Sequence, residues 1–150
     1  MELSDEILID APKDRVYAAL NDPEILKQCI PGCEELTQHS DSELEALVVL
    51  KIGPVKAKFG GNVTLDKAGA PDAFSLTGQG NGGAAGYAKG GADVTLTEVD
   101  RKTLLSYEAK AEIGGKLAQL GSRLIQSTAK KLAGAFFAKF AEVMEMKADA

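Results

Sequence analysis

Residues 115–146 read GKLAQLGSRLIQSTAKKLAGAFFAKFAEVMEM, and everything before them has to be arranged around this stretch. It holds no proline, and its interior glycines are Gly121 and Gly134. Ala, Leu, Lys, Gln and Glu fill most of the rest, a composition that favours helix when summed over a long window. Apolar residues recur at helical spacing: Leu117, Leu120 and Leu124 on one line, then Ile125, Ala129, Leu132, Phe136, Phe140 and Val143 on another. Arg123, Lys130, Lys131, Lys139, Glu142 and Lys147 fall mostly on the other side. A helix of this length spans roughly 45 Å, longer than a small domain needs as a strut. It is the only long helix the sequence offers, so the remaining residues must supply the apolar surface it lies along.

A chain of 150 residues, 45% hydrophobic and 26% charged, has the make-up of one soluble domain able to bury a core without staples. Its net charge of −5 argues against a protein built to hold nucleic-acid phosphates. There is no charged-then-apolar start, and no run of roughly 18 apolar residues to span a bilayer, so the expected location is cytoplasmic. Cys29 and Cys33 are then expected as reduced thiols rather than a disulfide.

In chain order, Met1 to Ile9 reads as a strand. Asp10-Ala11-Pro12 reads as a helix start with Asp10 as N-cap, and Val16, Ala19 and Leu20 give that short helix its apolar side. Asn21-Asp22-Pro23 opens a second short helix reaching Cys29, and Ile30-Pro31-Gly32 is a turn. The period then changes to two. From Glu43 to Ile52, Leu44, Ala46, Val48, Leu50 and Ile52 share one face. After Gly53-Pro54, Val55, Ala57, Phe59, Gly61, Val63 and Leu65 alternate with Lys56, Lys58, Asn62, Thr64 and Asp66. That pattern is an antiparallel hairpin with one wet face. Ala70-Pro71-Asp72 turns the chain, and Ala73 to Gly80, Ala85 to Glu98 and Thr103 to Ile113 follow as strands. The order is one strand, two short helices, a meander of about six strands and one long helix. It predicts an α+β fold with a curved antiparallel sheet of about seven strands around the C-terminal helix.

This order resembles the helix-grip fold of the START-like (SRPBCC, Bet v 1-like) superfamily. Four stretches are similar to the CoxG family of carbon monoxide dehydrogenase accessory proteins: Ile30-Pro31-Gly32-Cys33, the hairpin from Lys51 to Phe59, Gly115 to Gly121, and Leu132 to Phe140. The resemblance spans nearly the whole chain, and its motifs mark kinship rather than chemistry. It implies a non-enzymatic accessory protein with no cofactor of its own. Genes of this family usually accompany molybdenum hydroxylases of the carbon monoxide dehydrogenase and xanthine dehydrogenase type. Their products are implied to assemble or tether the enzyme at the membrane and to carry an apolar molecule, such as a quinone, in the grip cavity. Some members have a long C-terminal extension for membrane attachment. This sequence stops at Ala150, so only a transient, peripheral membrane contact is expected.

Small residues fill the candidate inward faces: Ala46, Ala57, Gly61, Gly78, Gly80, Ala88, Gly90, Ala92, Ala109 and Ala111. Aromatics make up 5% of the chain and Trp is absent. Small inward residues leave either an apolar pocket or close helix–sheet contact. If the pocket exists, its expected lining is Val48, Leu50, Phe59, Val63, Phe74, Tyr107, Leu124, Leu132, Phe136 and Phe140. Two other readings stand beside the carrier: a START-like enzyme of the polyketide cyclase type, and a docking protein with a filled core. An enzyme needs ionisable groups turned inward, and the alternation offers little beyond Tyr107 and Tyr17.

The remaining motifs carry less. Gly78 to Gly83 satisfies G-x-G-x-x-G, but a dinucleotide site needs a helix to begin there, and the sequence continues as a strand. Cys29 and Cys33 lack the further ligands a metal site requires, and His39 sits in a polar stretch with no nucleophile beside it. In Phe136-Phe137-Ala138-Lys139-Phe140, Phe136 and Phe140 share the apolar face while Phe137 points toward the flank.

Overall fold

The computed structural model describes residues 1–149, with side-chain environments through Glu145. Lys147, which its spacing assigns to the polar side of the helix, lies outside the described side chains. Strand β1 (Glu2–Ile9) leads to helices α1 (Lys13–Leu20) and α2 (Pro23–Cys29). Six strands follow: β2 (Cys33–Ser40), β3 (Glu43–Ile52), β4 (Val55–Asp66), β5 (Ala73–Asn81), β6 (Tyr87–Val99) and β7 (Lys102–Gly114). Helix α3 (Ser122–Asp149) closes the fold. The seven strands form one sheet in the order β1-β7-β6-β5-β4-β3-β2, and every pairing is antiparallel. This is the expected α+β helix-grip arrangement.

Local chemistry explains most boundaries. Residues of β4 alternate strictly between half-buried and exposed along its whole length, as a strand with one wet face must. Asp22 caps α2 by accepting the Glu24 amide at 3.0 Å, with Pro23 at the first helical position. Asp100 and Arg101 both take positive φ, 49° and 69°, in the two-residue hairpin between β6 and β7.

Four expectations need correction. Asp10 does not cap α1: Pro12 occupies the cap position in extended conformation, and its carbonyl accepts the Arg15 and Val16 amides. The long helix begins at Ser122, not Gly115. Gly115–Leu120 forms a 3-10 turn, and Gly121, at φ 94° and ψ 149°, reverses the chain before the helix starts. Strand β6 begins at Tyr87, because Gly83–Ala85 makes another 3-10 turn. Strand β2, which periodicity did not locate, completes the meander.

The filled core lies at one end of the sheet. Ile9, Val16, Ile25, Phe74, Leu96 and Leu105 meet Phe140, Val143 and Met144 from the C-terminal half of α3. Thr103 is the buried polar residue there, 0% exposed, and its hydroxyl donates to the Ala11 carbonyl at 2.7 Å. Thr103→Val is expected to cost about 1–3 kcal/mol in urea unfolding, because the Ala11 carbonyl loses its partner without access to water. An unchanged midpoint would mean that this bond adds nothing.

Candidate functional site

The inward rows of the sheet change size abruptly along the strands. In one row Phe74, Val94 and Tyr107 stand opposite one another on β5, β6 and β7. The next row is Leu76, Ala92 and Ala109, followed by Gly78, Gly90 and Ala111, then Gly80, Ala88 and Ile113. Beneath the bulky row the helix meets the sheet and excludes space. Above it, the N-terminal half of α3 faces alanine and glycine, and a cavity of about 560 Å³ opens. Ile125, Thr128, Ala129 and Leu132 form its helical wall, and Ala46, Val48, Leu50, Phe59 and Val63 line it from β3 and β4.

Ile30 and Pro31 edge the cavity next to the turn at Gly32. That turn admits only glycine: φ is 74°, and a Cβ there would stand 2.1 Å from the Val49 carbonyl oxygen. At the far end Leu117, 3% exposed, lies in the 3-10 turn that packs against the β5–β6 connection. Asn62, Gln79, Lys89 and Lys110 border the cavity through their backbone, because alternation turns their exposed side chains to the outer face. Lys89 and Lys110 pair there with Glu112 and Glu2.

Val48, Leu50, Phe59, Val63 and Leu132 of the expected lining therefore stand together around the cavity. The other five do not. Phe74 and Phe140, 7% and 0% exposed, belong to the filled core. Phe136 stacks on Phe140 at 6.1 Å between ring centroids, one helical turn past the cavity wall. Tyr107 stacks on Phe137 at 5.4 Å and lines a separate groove between β1 and the flank of α3. Leu124 sits against the hairpin tip at Gly53. Of the small residues expected inward, Ala57 is not in the lining. Sequence reasoning missed Ile30, Pro31, Ile113, Leu117, Ile125 and Thr128 as lining residues. Ile125 was legible on the helical line it shares with Leu132, and Thr128 as a polar residue interrupting that stripe.

The electrostatics offer little for catalysis. Burial pushes both the Cys29 and Cys33 thiols up, with Lys139 opposing at Cys29 and Lys27 at Cys33, so both favour the protonated form. They are free cysteines. Burial first, and then the Asp5 carboxylate, pushes the Tyr107 phenol up. His39 pairs with Glu45 at 2.7 Å on the surface. Among the described residues no group of three or more His, Cys, Asp or Glu side chains could hold a metal. Nor is any helix among them long and apolar enough to cross a membrane. A depression of about 770 Å³ on the outer face is a polar trough lined by residues such as Thr64, Thr77 and Glu112.

An antiparallel sheet gripping a C-terminal helix over an apolar cavity defines the helix-grip, START-like class. The family model of the carbon monoxide dehydrogenase protein CoxG matches residues 6–145, and the chain belongs to that family. Among solved structures it is similar to a conserved protein from Geobacillus kaustophilus, with a TM-score of 0.91 and 29% identity over 97% of this chain and 96% of that one. A START superfamily protein from Mycobacterium smegmatis aligns with a TM-score of 0.67 and 15% identity, covering 95% of this chain and 98% of its own. The Zhui aromatase/cyclase from Streptomyces sp. R1128 gives 0.69 at 12% identity, with 99% and 95% covered. These last two share the fold alone. No curated protein matches the chain.

Proposed function

We propose that this protein is a non-enzymatic carrier. It binds a hydrophobic molecule of quinone or lipid type in the cavity and serves a molybdenum hydroxylase of the carbon monoxide dehydrogenase type. The observation that carries this reading is the cavity itself: about 560 Å³ of apolar space with no ionisable side chain of the described residues turned into it. That volume suits a small hydrophobic ligand, while general acid–base work needs a titratable group within reach of the reacting atoms. The partner enzyme follows from membership of the CoxG family. The carrier works in the cytoplasm and touches the inner face of the membrane only transiently, as exchange of an apolar cargo requires. Native mass spectrometry of freshly purified protein, with solvent extraction of what it holds, tests the reading. A co-purifying isoprenoid quinone or lipid is the expected result. A clean ligand-free mass, with no uptake of added quinone, would sink it and favour a docking protein.

A further inference from the structure

We propose that Thr128 selects for a hydrogen-bonding oxygen on the molecule held in the cavity, an assignment that rests on the cavity being a ligand site. Thr128 is the only side chain with a hydrogen-bonding group that faces the cavity among the described residues. It lies between Ile125 and Leu132 on the inner side of α3, where alanine would favour the helix more and valine would match its shape.

A helical threonine ordinarily satisfies its hydroxyl on the carbonyl three or four residues back. Here it does not. Side-chain donors to the backbone among the described residues are Asn21, Gln28, Cys33, Thr103 and Gln126, and Thr128 is not one of them. The facing wall offers nothing instead: Leu76, Ala92 and Ala109 are apolar, and the backbone of β5, β6 and β7 is engaged in the sheet ladders. A hydroxyl in such surroundings is left without a partner, which costs free energy until something supplies one. A ligand carbonyl or hydroxyl within reach of α3 does so; a pure hydrocarbon does not. The site therefore discriminates by the oxygen, because polar groups left unpaired reject an analogue far better than a missing methylene does.

The test pairs Thr128→Val and Thr128→Ser with two probes of matched shape, a prenylated naphthoquinone and the corresponding prenylated naphthalene. Thr128→Val is expected to weaken quinone binding about three- to tenfold while leaving the naphthalene unchanged, and Thr128→Ser to restore the quinone. Without ligand, Thr128→Val is expected to raise the melting temperature by about 2 °C, since valine removes an unpartnered hydroxyl. Equal losses for both probes, no loss for either, or a ligand-free melting temperature that stays level or falls would each overturn the assignment alone. Wild-type protein that takes up neither probe would overturn the carrier reading and this assignment together.

Discussion

Ala92→Phe is expected to abolish uptake of an apolar ligand while lowering stability by less than about 1 kcal/mol. Ala92 sits mid-sheet, between Leu76 on β5 and Ala109 on β7, and its methyl lines the cavity. A benzyl group there projects into about 560 Å³ of open apolar space toward Ala129 and Leu132. It displaces the ligand without displacing protein atoms, and the area it buries offsets part of any local strain. In a filled core the same change would force side chains off their rotamers and cost about 1–3 kcal/mol or more. Binding measured alongside urea unfolding separates the two cases. Loss of several kcal/mol would mean that the helix and sheet already fill each other.

Phe140→Ala is expected to be the most damaging truncation on the inner face of the helix, at about 3–5 kcal/mol. Phe140 is 0% exposed, stacks on Phe136, and packs in the core that joins α1, α2 and the sheet. Against a total stability of about 5–15 kcal/mol, that loss brings the chain close to unfolding. Leu132→Ala, about two turns earlier on the same side, should cost clearly less, because its neighbours across the cavity are already open space. Equal costs at the two positions in denaturant unfolding would contradict the division of α3 into a packed half and a cavity-facing half.

The sheet was legible wherever one face is buried and the other wet. β4 announces itself because each step along it changes polarity, and no other periodicity fits. β2 stayed hidden because it is an edge strand whose residues are nearly all exposed, so no alternation is imposed on CEELTQHS. The helix start was misread for a similar reason. Gly121 looks like one tolerable glycine in a helical run, and only its backbone conformation reveals a reversal. The site was half legible for an instructive reason. Small residues on the inward faces pointed to a void, yet the expected lining favoured bulky ones. Phe74, Phe136 and Phe140 are bulky enough to fill space, so they occur where no cavity can be. Which rows of the sheet are small and which are large depends on register across β5, β6 and β7, and one strand read alone does not contain it.

That separation bears on how such a protein diversifies. Residues that hold the fold together gather at one end, around Phe140 and Leu105, while those that touch a cargo gather at the other, around Ala92 and Leu132. Substitutions at the cargo end draw little on the margin of stability that ordinarily limits which changes a lineage can accept. The same scaffold can therefore be refitted for a different molecule by exchanging small residues for slightly larger or more polar ones, a few positions at a time, with its foundations left untouched.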